Sequence, residues 1–230
     1  MSNHWLNQEV TKKSEWHCQF WHAVTVHSVN LITKSDLLDD AIAASNTHFK
    51  HDKTTSVAML ELGSKKIVLK RYNPRSQGHK IKRALRQSRA RRCWNMSYEF
   101  AAAGLNVAAP LLMLEVRFGP IRTNAYFANE YLQGEQLLSS LPGMPQDQQS
   151  AVVEAIEQAF EQMNKFKLTH GDMKASNLLW VNGKLYFIDL DAATRHQNNC
   201  SWRFFHQKDK KRFLKNWQNY PELLAQFENL

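Results

Sequence analysis

The chain has 230 residues, which suffices for one compact core or two small lobes and excludes a large multidomain assembly. Hydrophobic residues make up 43% of it, and its seven Trp and twelve Phe exclude an intrinsically disordered protein, because disordered chains are poor in such residues. The cysteines Cys18, Cys93 and Cys200 are odd in number and lack metal-ligand spacing. We therefore expect reduced, structural thiols rather than a disulfide framework or a zinc site.

The formal net charge of +9 is unevenly distributed along the chain. Residues 63–98 hold twelve basic residues and no acidic one, while the rest of the chain is mildly acidic. A basic segment of this kind favours a polyanionic partner, which can be nucleic acid, anionic lipid or a phosphorylated glycan. The first thirty residues lack the apolar core of a signal peptide, and no run approaches the ~18 apolar residues of a membrane span. We predict a cytoplasmic protein that can contact a membrane peripherally.

Residues 1–132 are predicted to form an N-terminal lobe, a small antiparallel sheet with one basic helical segment. Runs of β-forming residues bounded by turn residues predict strands at 47–50, 55–62, 66–72, 111–117 and 124–131. Two of these strands flank the turn residues Gly63 and Ser64. A short helix or turn is expected at 37–45, and apolar residues at helical spacing predict one long or two short helices over 80–103.

Residues 133–230 are predicted to form a reduced, largely helical C-terminal lobe. A helix over 151–166 has an apolar face made of Val152, Ile156, Ala159, Phe160 and Met163. Short apolar strands at 178–181 and 185–190 flank Asn182-Gly183, a strong hairpin signal. The remaining residues, 202–230, are predicted to be helical and amphipathic.

A polar motif stands between that helix and that hairpin. Residues 170–177 are HGDMKASN, and the hairpin ends in IDLD at 188–191. A phosphoryl-transfer site of the protein-kinase type needs a carboxylate base, an amide and a second carboxylate for Mg²⁺, and a lysine on the nucleotide phosphates. His170 is expected to hold the backbone of the loop rather than to take part in the reaction.

Each of these roles has a candidate residue. Asp172 is the candidate base, and Asn177 and Asp189 are the candidate Mg²⁺ ligands. Lys174 lies two residues after the base and can reach a transferred phosphate. Lys70 ends an apolar strand and corresponds to the lysine that neutralises the α- and β-phosphates of ATP.

With this motif, the chain resembles the lipopolysaccharide kinase family, the bacterial Kdo and heptose kinases of the protein-kinase-like superfamily. The resemblance runs from about Thr55 to Trp217 and includes KRY at 70–72, RRCW at 91–94 leading to Gly104, NEY at 129–131 before Gly134, and RFLKNW at 212–217. It implies a two-lobed α+β kinase fold that uses ATP and Mg²⁺. It also implies transfer of the γ-phosphate to a sugar hydroxyl of the lipopolysaccharide inner core at the cytoplasmic face of the inner membrane.

The same resemblance makes Glu130 and Leu132 the expected hinge that meets the adenine. Glu99 is the only acidic residue of the long helical segment that could pair with Lys70. The chain departs from an ordinary kinase at residues 44–58, which contain no glycine where a glycine-rich loop is expected. The phosphates would have to be held by other backbone amides, or by Lys50 and Lys53.

We predict a kinase of a lipopolysaccharide core sugar, Kdo or heptose, with an anionic glycolipid as partner, peripheral contact with the anionic inner membrane, no nucleic acid and no obligate protein partner. Only 39 residues follow Asp191, without an A-P-E motif, which favours a glycan or small acceptor over a protein. The missing glycines leave a pseudokinase scaffold at the membrane surface as an alternative. A kinase of another small acceptor, such as an aminoglycoside or choline, is disfavoured by the positive charge.

Overall fold

The computed structural model describes residues 4–7, 9–14, 18–23, 35–51, 54–62, 65–73, 87–118, 121–228 and 230. The chain divides into two compact units. The N-terminal unit comprises residues 5–95 and 109–131, and the C-terminal unit comprises residues 1–4, 96–108 and 132–230.

The chain contains both strands and helices. The strands, in chain order, are β1 (Val10–Ser14), β2 (Cys18–Ala23), β3 (Thr47–His51), β4 (Thr55–Leu62), β5 (Lys65–Tyr72), β6 (Asn106–Val107), β7 (Pro110–Phe118), β8 (Ile121–Glu130), β9 (Glu135–Gln136), β10 (Leu168–Thr169), β11 (Leu178–Val181), β12 (Lys184–Phe187) and β13 (Thr194–Arg195). The helices are α1 (Ser35–Ala44), α2 (Arg89–Ala102), α3 (Leu137–Ser140), α4 (Gln146–Lys165), α5 (Asn199–Lys215) and α6 (Pro221–Ala225). None of the helices in the described ranges has the length and apolar character needed to cross a membrane.

The N-terminal unit is built on a seven-stranded sheet in the order β1-β2-β7-β8-β5-β4-β3. All neighbouring strands in it are antiparallel. The five predicted strands are confirmed to within a few residues at their ends, whereas β1 and β2 extend the sheet where the sequence pattern left the structure open. The turn residues expected at 63–64 lie outside the described part of the chain.

One face of this sheet is covered by α1. Leu38 and Ile42 of α1 join a buried cluster whose sheet members alternate along their strands, as side chains of one face must: Ala58, Ile67, Leu69, Leu112, Leu114, Tyr126 and Ala128. The Tyr126 hydroxyl donates a 2.7 Å hydrogen bond to Asp39 of α1. Burial, together with this bond and the Asp39 charge, raises the pKa of Tyr126.

The opposite face of the sheet holds a fully buried carboxylate, Glu115 of β7. Its Oε2 accepts hydrogen bonds from Arg117 Nη2 at 2.6 Å and from Arg91 Nη2 of α2 at 3.0 Å, and Arg122 Nη1 lies 3.8 Å from Oε1. Burial alone would raise the pKa of Glu115, but the hydrogen bonds from Ser88 and Arg117 and the charges of Arg91 and Arg117 outweigh it and lower that pKa. The charge cluster therefore fixes the start of α2 on the sheet.

The core of the C-terminal unit includes one face of α4. The buried residues of α4 are the five predicted from its apolar spacing, Val152, Ile156, Ala159, Phe160 and Met163, so that interpretation is confirmed. Phe160 packs edge-on against Phe213 of α5, which in turn contacts Trp217 and Phe227. The β11–β12 hairpin also forms as predicted, because Asn182 and Gly183 adopt the positive φ angles, 48° and 74°, that its tight turn requires.

One predicted element is wrong at its end, and the structure defines two others more closely. The second hairpin strand ends at Phe187 rather than at 190, because Asp189 takes a left-handed φ of 63° and a 3-10 turn, Leu190–Ala192, follows it. The terminal helical region is two helices, since Asn216 caps α5 by donating to the carbonyl of Phe213, and Pro221 begins a new helix. In the segment predicted at 80–103, α2 begins at Arg89, and residues 80–86 lie outside the described residues.

We expect Glu115→Gln to lower the free energy of unfolding by about 3 kcal/mol at neutral pH, because it leaves partly buried guanidinium groups without their counter-charge. Since the folded pKa of Glu115 is lowered, its stabilising contribution is present above the ordinary value of 4.5 and is lost as the pH falls through the folded pKa. Urea unfolding at several pH values measures both effects. Glu61→Gln, which breaks an exposed pair with Lys66, is the control and should cost less than about 1 kcal/mol.

Candidate active site

The HGDMKASN motif forms the loop that joins β10 to β11 in the C-terminal unit. The loop is closed by its own backbone, with the Lys174 N–H donating to the Asp172 carbonyl and the Asn177 N–H donating to the Lys174 carbonyl, both at 2.8 Å. The Ile188 N–H donates to the Asn177 carbonyl at 3.0 Å, which ties the end of the β11–β12 hairpin to the loop. The two parts of the sequence motif therefore meet in the folded chain.

Three donors surround the Asp172 carboxylate. Lys174 Nζ lies 3.0 Å from Oδ2, Asn177 Nδ2 lies 3.3 Å from the same oxygen, and Arg212 Nη1 of α5 lies 3.3 Å from Oδ1. The Asp172 side chain keeps 33% of its surface exposed, and Lys174 and Arg212 keep 49% and 42%. A solute can therefore reach the carboxylate, which is flanked by two cationic side chains.

The loop is anchored from beneath by Asp209, a residue of α5 that is 1% exposed. Its Oδ2 accepts the backbone N–H of His170 at 2.7 Å, and both of its oxygens lie 3.1 Å from the N–H of Gly171. Three residues along the helix, Arg212 donates to the carbonyl of Gly171. Two side chains of α5 thus bind both backbone polar groups of Gly171, the residue before the candidate base.

Gly171 occupies a position that only glycine fits. Its φ is +77°, and a Cβ added there would lie 2.5 Å from the carbonyl oxygen of Ala192, which belongs to the 3-10 turn after Asp189. The turn after the hairpin therefore lies against the loop. This close packing is possible because Gly171 has no side chain.

His170 is completely buried and donates from Nε2 to the carbonyl of Ile188 at 3.0 Å. Burial lowers the pKa of His170 below its ordinary value, so the ring is neutral at neutral pH with its proton on Nε2. The ring also packs against Phe100 and Phe187, at centroid distances of 6.4 and 6.1 Å, and those two rings contact each other at 5.5 Å. His170 therefore supports the loop from inside the core, in keeping with the structural role expected of it.

The donor chemistry of Asn177 and Asp189 fits a magnesium ion. Asn177 donates a 2.8 Å hydrogen bond from Nδ2 to the Asp172 carbonyl. Its side-chain oxygen is therefore the atom that could bind a cation. Asp189 is held in a left-handed conformation that costs a non-glycine residue energy, a feature common where function fixes the backbone. Hard oxygen ligands from one amide and one carboxylate, completed by phosphate oxygens, are what Mg²⁺ takes in phosphoryl-transfer sites.

The remaining predicted site residues are divided between the units. Lys70 lies in β5, opposite Val57 and Phe127, and belongs to the N-terminal unit. Glu130, at the end of β8 in the same unit, donates its N–H to the Ala109 carbonyl at 3.0 Å.

Glu99 and Leu132 belong to the C-terminal unit. There, Glu99 forms a 2.7 Å ion pair with Arg195. The pairing of Glu99 with Lys70 and the hinge role of Glu130 and Leu132 stay predictions.

Asp209 and Arg212 are the site residues that the sequence interpretation missed. Arg212 lies within the stretch that carries the family resemblance, but the pattern around it indicates no particular role. Asp209 offered a clearer signal, because it is the only acidic residue of α5 and stands at helical spacing between the buried residues His206 and Phe213. An acid on the apolar face of a helix otherwise rich in lysine indicates a buried partner.

A carboxylate, an amide and a lysine in one loop, followed by a hairpin with a second carboxylate just after it, are the features of protein-kinase-like phosphotransferases. The sequence profile of the lipopolysaccharide kinase (Kdo/WaaP) family matches residues 39–226. The chain therefore belongs to the lipopolysaccharide kinase family, as its resemblance implied.

Two further comparisons concern the fold and part of the sequence. A solved structure described as WaaP in complex with acyl carrier protein matches 83% of this chain and 89% of that chain with a TM-score of 0.55 and 18% identity, which confirms the α+β kinase-like fold. The KEOPS complex subunit Bud32 of Pyrococcus abyssi (strain GE5 / Orsay) is 30% identical over 70 residues, a match that spans 30% of this chain and 32% of the Bud32 sequence.

We expect Gly171→Ala to destabilise the protein by about 2 kcal/mol or more, because alanine is strained at this φ and its Cβ would overlap the Ala192 carbonyl. The control is Gly143→Ala, where no atom lies within 4 Å of the added Cβ and the change should stay within about 0.5 kcal/mol. Thermal unfolding of both variants measures the difference, and equal melting temperatures would contradict the close approach of Gly171 to Ala192.

Asp209→Asn should loosen the loop while leaving the rest of the fold in place. Replacing a charged acceptor by a neutral one weakens the bonds from His170 and Gly171, so we expect their amide hydrogens to exchange about tenfold faster or more. Hydrogen exchange resolved by residue is the measurement. Asp147→Asn, at an exposed position in the first turn of α4, is the matched control and should leave both amides unchanged.

Proposed function

We propose that this kinase transfers the γ-phosphate of ATP to a sugar hydroxyl of the lipopolysaccharide inner core, on Kdo or heptose. The observation that carries the proposal is the reachable Asp172 carboxylate, flanked by Lys174 and Arg212, in a chain that belongs to the lipopolysaccharide kinase family. Membership of that family supports a glycan acceptor, and the exposed position of Asp172 leaves room for one.

In the proposed reaction, Asp172 orients the acceptor hydroxyl and accepts its proton as the hydroxyl oxygen attacks the γ-phosphorus. The bond between that phosphorus and the oxygen of the leaving ADP breaks as the new bond forms. Lys174, whose ammonium group lies 3.0 Å from Asp172, is close enough to share its charge with the phosphoryl group in transit. Arg212 keeps the carboxylate oriented from the side of α5.

The nucleotide would be held by the remaining predicted site residues. Asn177 and Asp189 would hold Mg²⁺, which supplies positive charge to the phosphate oxygens when bound. Lys70 would neutralise the α- and β-phosphates, Glu99 is the candidate partner for it, and the backbone at Glu130 to Leu132 would meet the adenine. Residues 44–58 lack glycine, so weak nucleotide binding, and with it a non-catalytic scaffold, is the alternative that a transfer experiment must exclude.

The acceptor we propose is an anionic glycolipid at the cytoplasmic face of the inner membrane. The basic residues of segment 63–98 support it, because phosphate groups of such a lipid or of the surrounding leaflet are complementary to them. This charge also argues against a cationic acceptor such as an aminoglycoside.

Asp172→Asn should abolish phosphate transfer, with a loss of at least about 10²-fold, because an amide cannot accept the proton. The measurement is incorporation of labelled γ-phosphate from Mg·ATP into lipopolysaccharide extracted from cells that lack this gene. Asp40→Asn, an exposed position on α1, serves as the matched control and should transfer at the rate of the unaltered protein.

Two outcomes would contradict the proposal. Label in the glycolipid with Asp172→Asn as high as with the unaltered protein would exclude Asp172 as the base. Absence of label with every variant, while the unaltered protein still binds the glycolipid, would assign the chain to the scaffold alternative.

A further inference from the structure

The outer side of α5 carries a stripe of four exposed residues. Phe204, Lys208, Lys211 and Lys215 recur at the i, i+4, i+7 and i+11 positions that share one face of a helix, and we call them the α5 stripe. The opposite side of the same helix is buried through His206, Asp209 and Phe213. Because the buried side is already packed in the C-terminal unit, the α5 stripe is presented to the surroundings.

The amino-terminal end of the stripe is aromatic. Phe204 is 57% exposed, and its neighbour Phe205 is 43% exposed while stacking on His196 at 5.5 Å. The ammonium group of Lys208 lies 4.4 Å from the Phe204 ring centroid. Two adjoining exposed phenylalanines beside a lysine form a patch that is apolar with a cationic edge, which is typical of residues that sit at a membrane interface.

The carboxyl-terminal end of the stripe is cationic and uncompensated. Asp209 is the only acidic residue of α5, and it is buried and engaged with His170 and Gly171. Within the described part of the chain, Lys208, Lys211 and Lys215 form no ion pair. Like charges three and four residues apart repel one another along a helix, so an anionic surface would relieve that repulsion.

We propose that the α5 stripe binds the surface of an anionic phospholipid bilayer, with Phe204 entering the interface and the three lysines contacting lipid phosphates. This inference rests on the proposed function, which it deepens by naming the surface that meets the membrane. The same helix holds the candidate active-site loop through Asp209 and Arg212. Docking α5 on the bilayer would therefore place that loop beside a lipid-linked acceptor.

Vesicle flotation tests the proposal with the full chain. We expect binding to vesicles made of equal parts phosphatidylcholine and phosphatidylglycerol, and little binding to phosphatidylcholine alone. The triple variant K208Q/K211Q/K215Q should bind the anionic vesicles about fivefold more weakly per lysine removed, roughly a hundredfold in all. Phe204→Ser should also weaken binding, and it should do so even at high salt, where the charge contribution is screened.

The control has the same change in charge at exposed or half-buried lysines elsewhere. K12Q/K165Q/K184Q should retain most of the binding, because these lysines lie neither on α5 nor in the basic segment 63–98. Equal losses in the two triple variants would overturn the proposal, since they would indicate attraction by net charge alone. Binding of poly-L-glutamate through the stripe, without binding of anionic vesicles, would assign the stripe to an acidic protein and would overturn it too.

A second readout separates this inference from the proposed kinase activity. Phosphate transfer to detergent-solubilised lipopolysaccharide needs no bilayer, so K208Q/K211Q/K215Q should transfer at the rate of the unaltered protein. Loss of transfer in detergent would contradict a role confined to membrane docking. For the triple variant we expect weaker vesicle binding with phosphate transfer unchanged. If the unaltered protein binds vesicles but transfers no phosphate, only the proposed function is contradicted.

Discussion

The position of the candidate active-site loop depends on one buried carboxylate. Asp209 is buried and accepts backbone N–H groups from His170 and Gly171. Among the residues that the structure describes, peptide dipoles rather than a counter-ion satisfy its charge. Hydrogen bonds to a charged acceptor in a poorly hydrated interior are stronger than neutral ones. Asp172 can stay partly exposed and still hold a defined position, because the peptide before it is fixed from below.

In the N-terminal unit, the charge of a buried carboxylate is stabilised in a different way. Glu115 is also buried, but its charge is met by guanidinium groups from three separate segments, namely α2, β7 and β8. One carboxylate facing several arginines holds those segments together and leaves a surplus of positive charge near the surface. Part of the basic character of segment 63–98 is thus structural, since Arg91 is committed to this cluster, while α5 contributes further positive charge outside that segment.

Local sequence patterns were sufficient to predict much of this architecture. The apolar face of α4, the Asn182-Gly183 hairpin and the loop that joins Asp172 to Asn177 follow from spacing and turn chemistry that lie within a few residues of each other. Asp209 could not be assigned in the same way, because its partners are about forty residues earlier in the chain and are backbone groups with no sequence signature. The end of β12 was misplaced for a similar reason: apolar residues continue to Leu190, and the left-handed turn at Asp189 depends on tertiary contacts.

The chain crosses between its two units several times, and this limits how the protein can be divided for expression. Residues 96–108 belong to the C-terminal unit although they precede the last strands of the N-terminal one. A fragment cut after β8 would therefore retain Phe100, Leu105 and Val107, all buried in the intact chain, without the residues that cover them. Such a fragment would be prone to aggregate, and separate production of either unit would need a rearranged gene rather than a simple truncation.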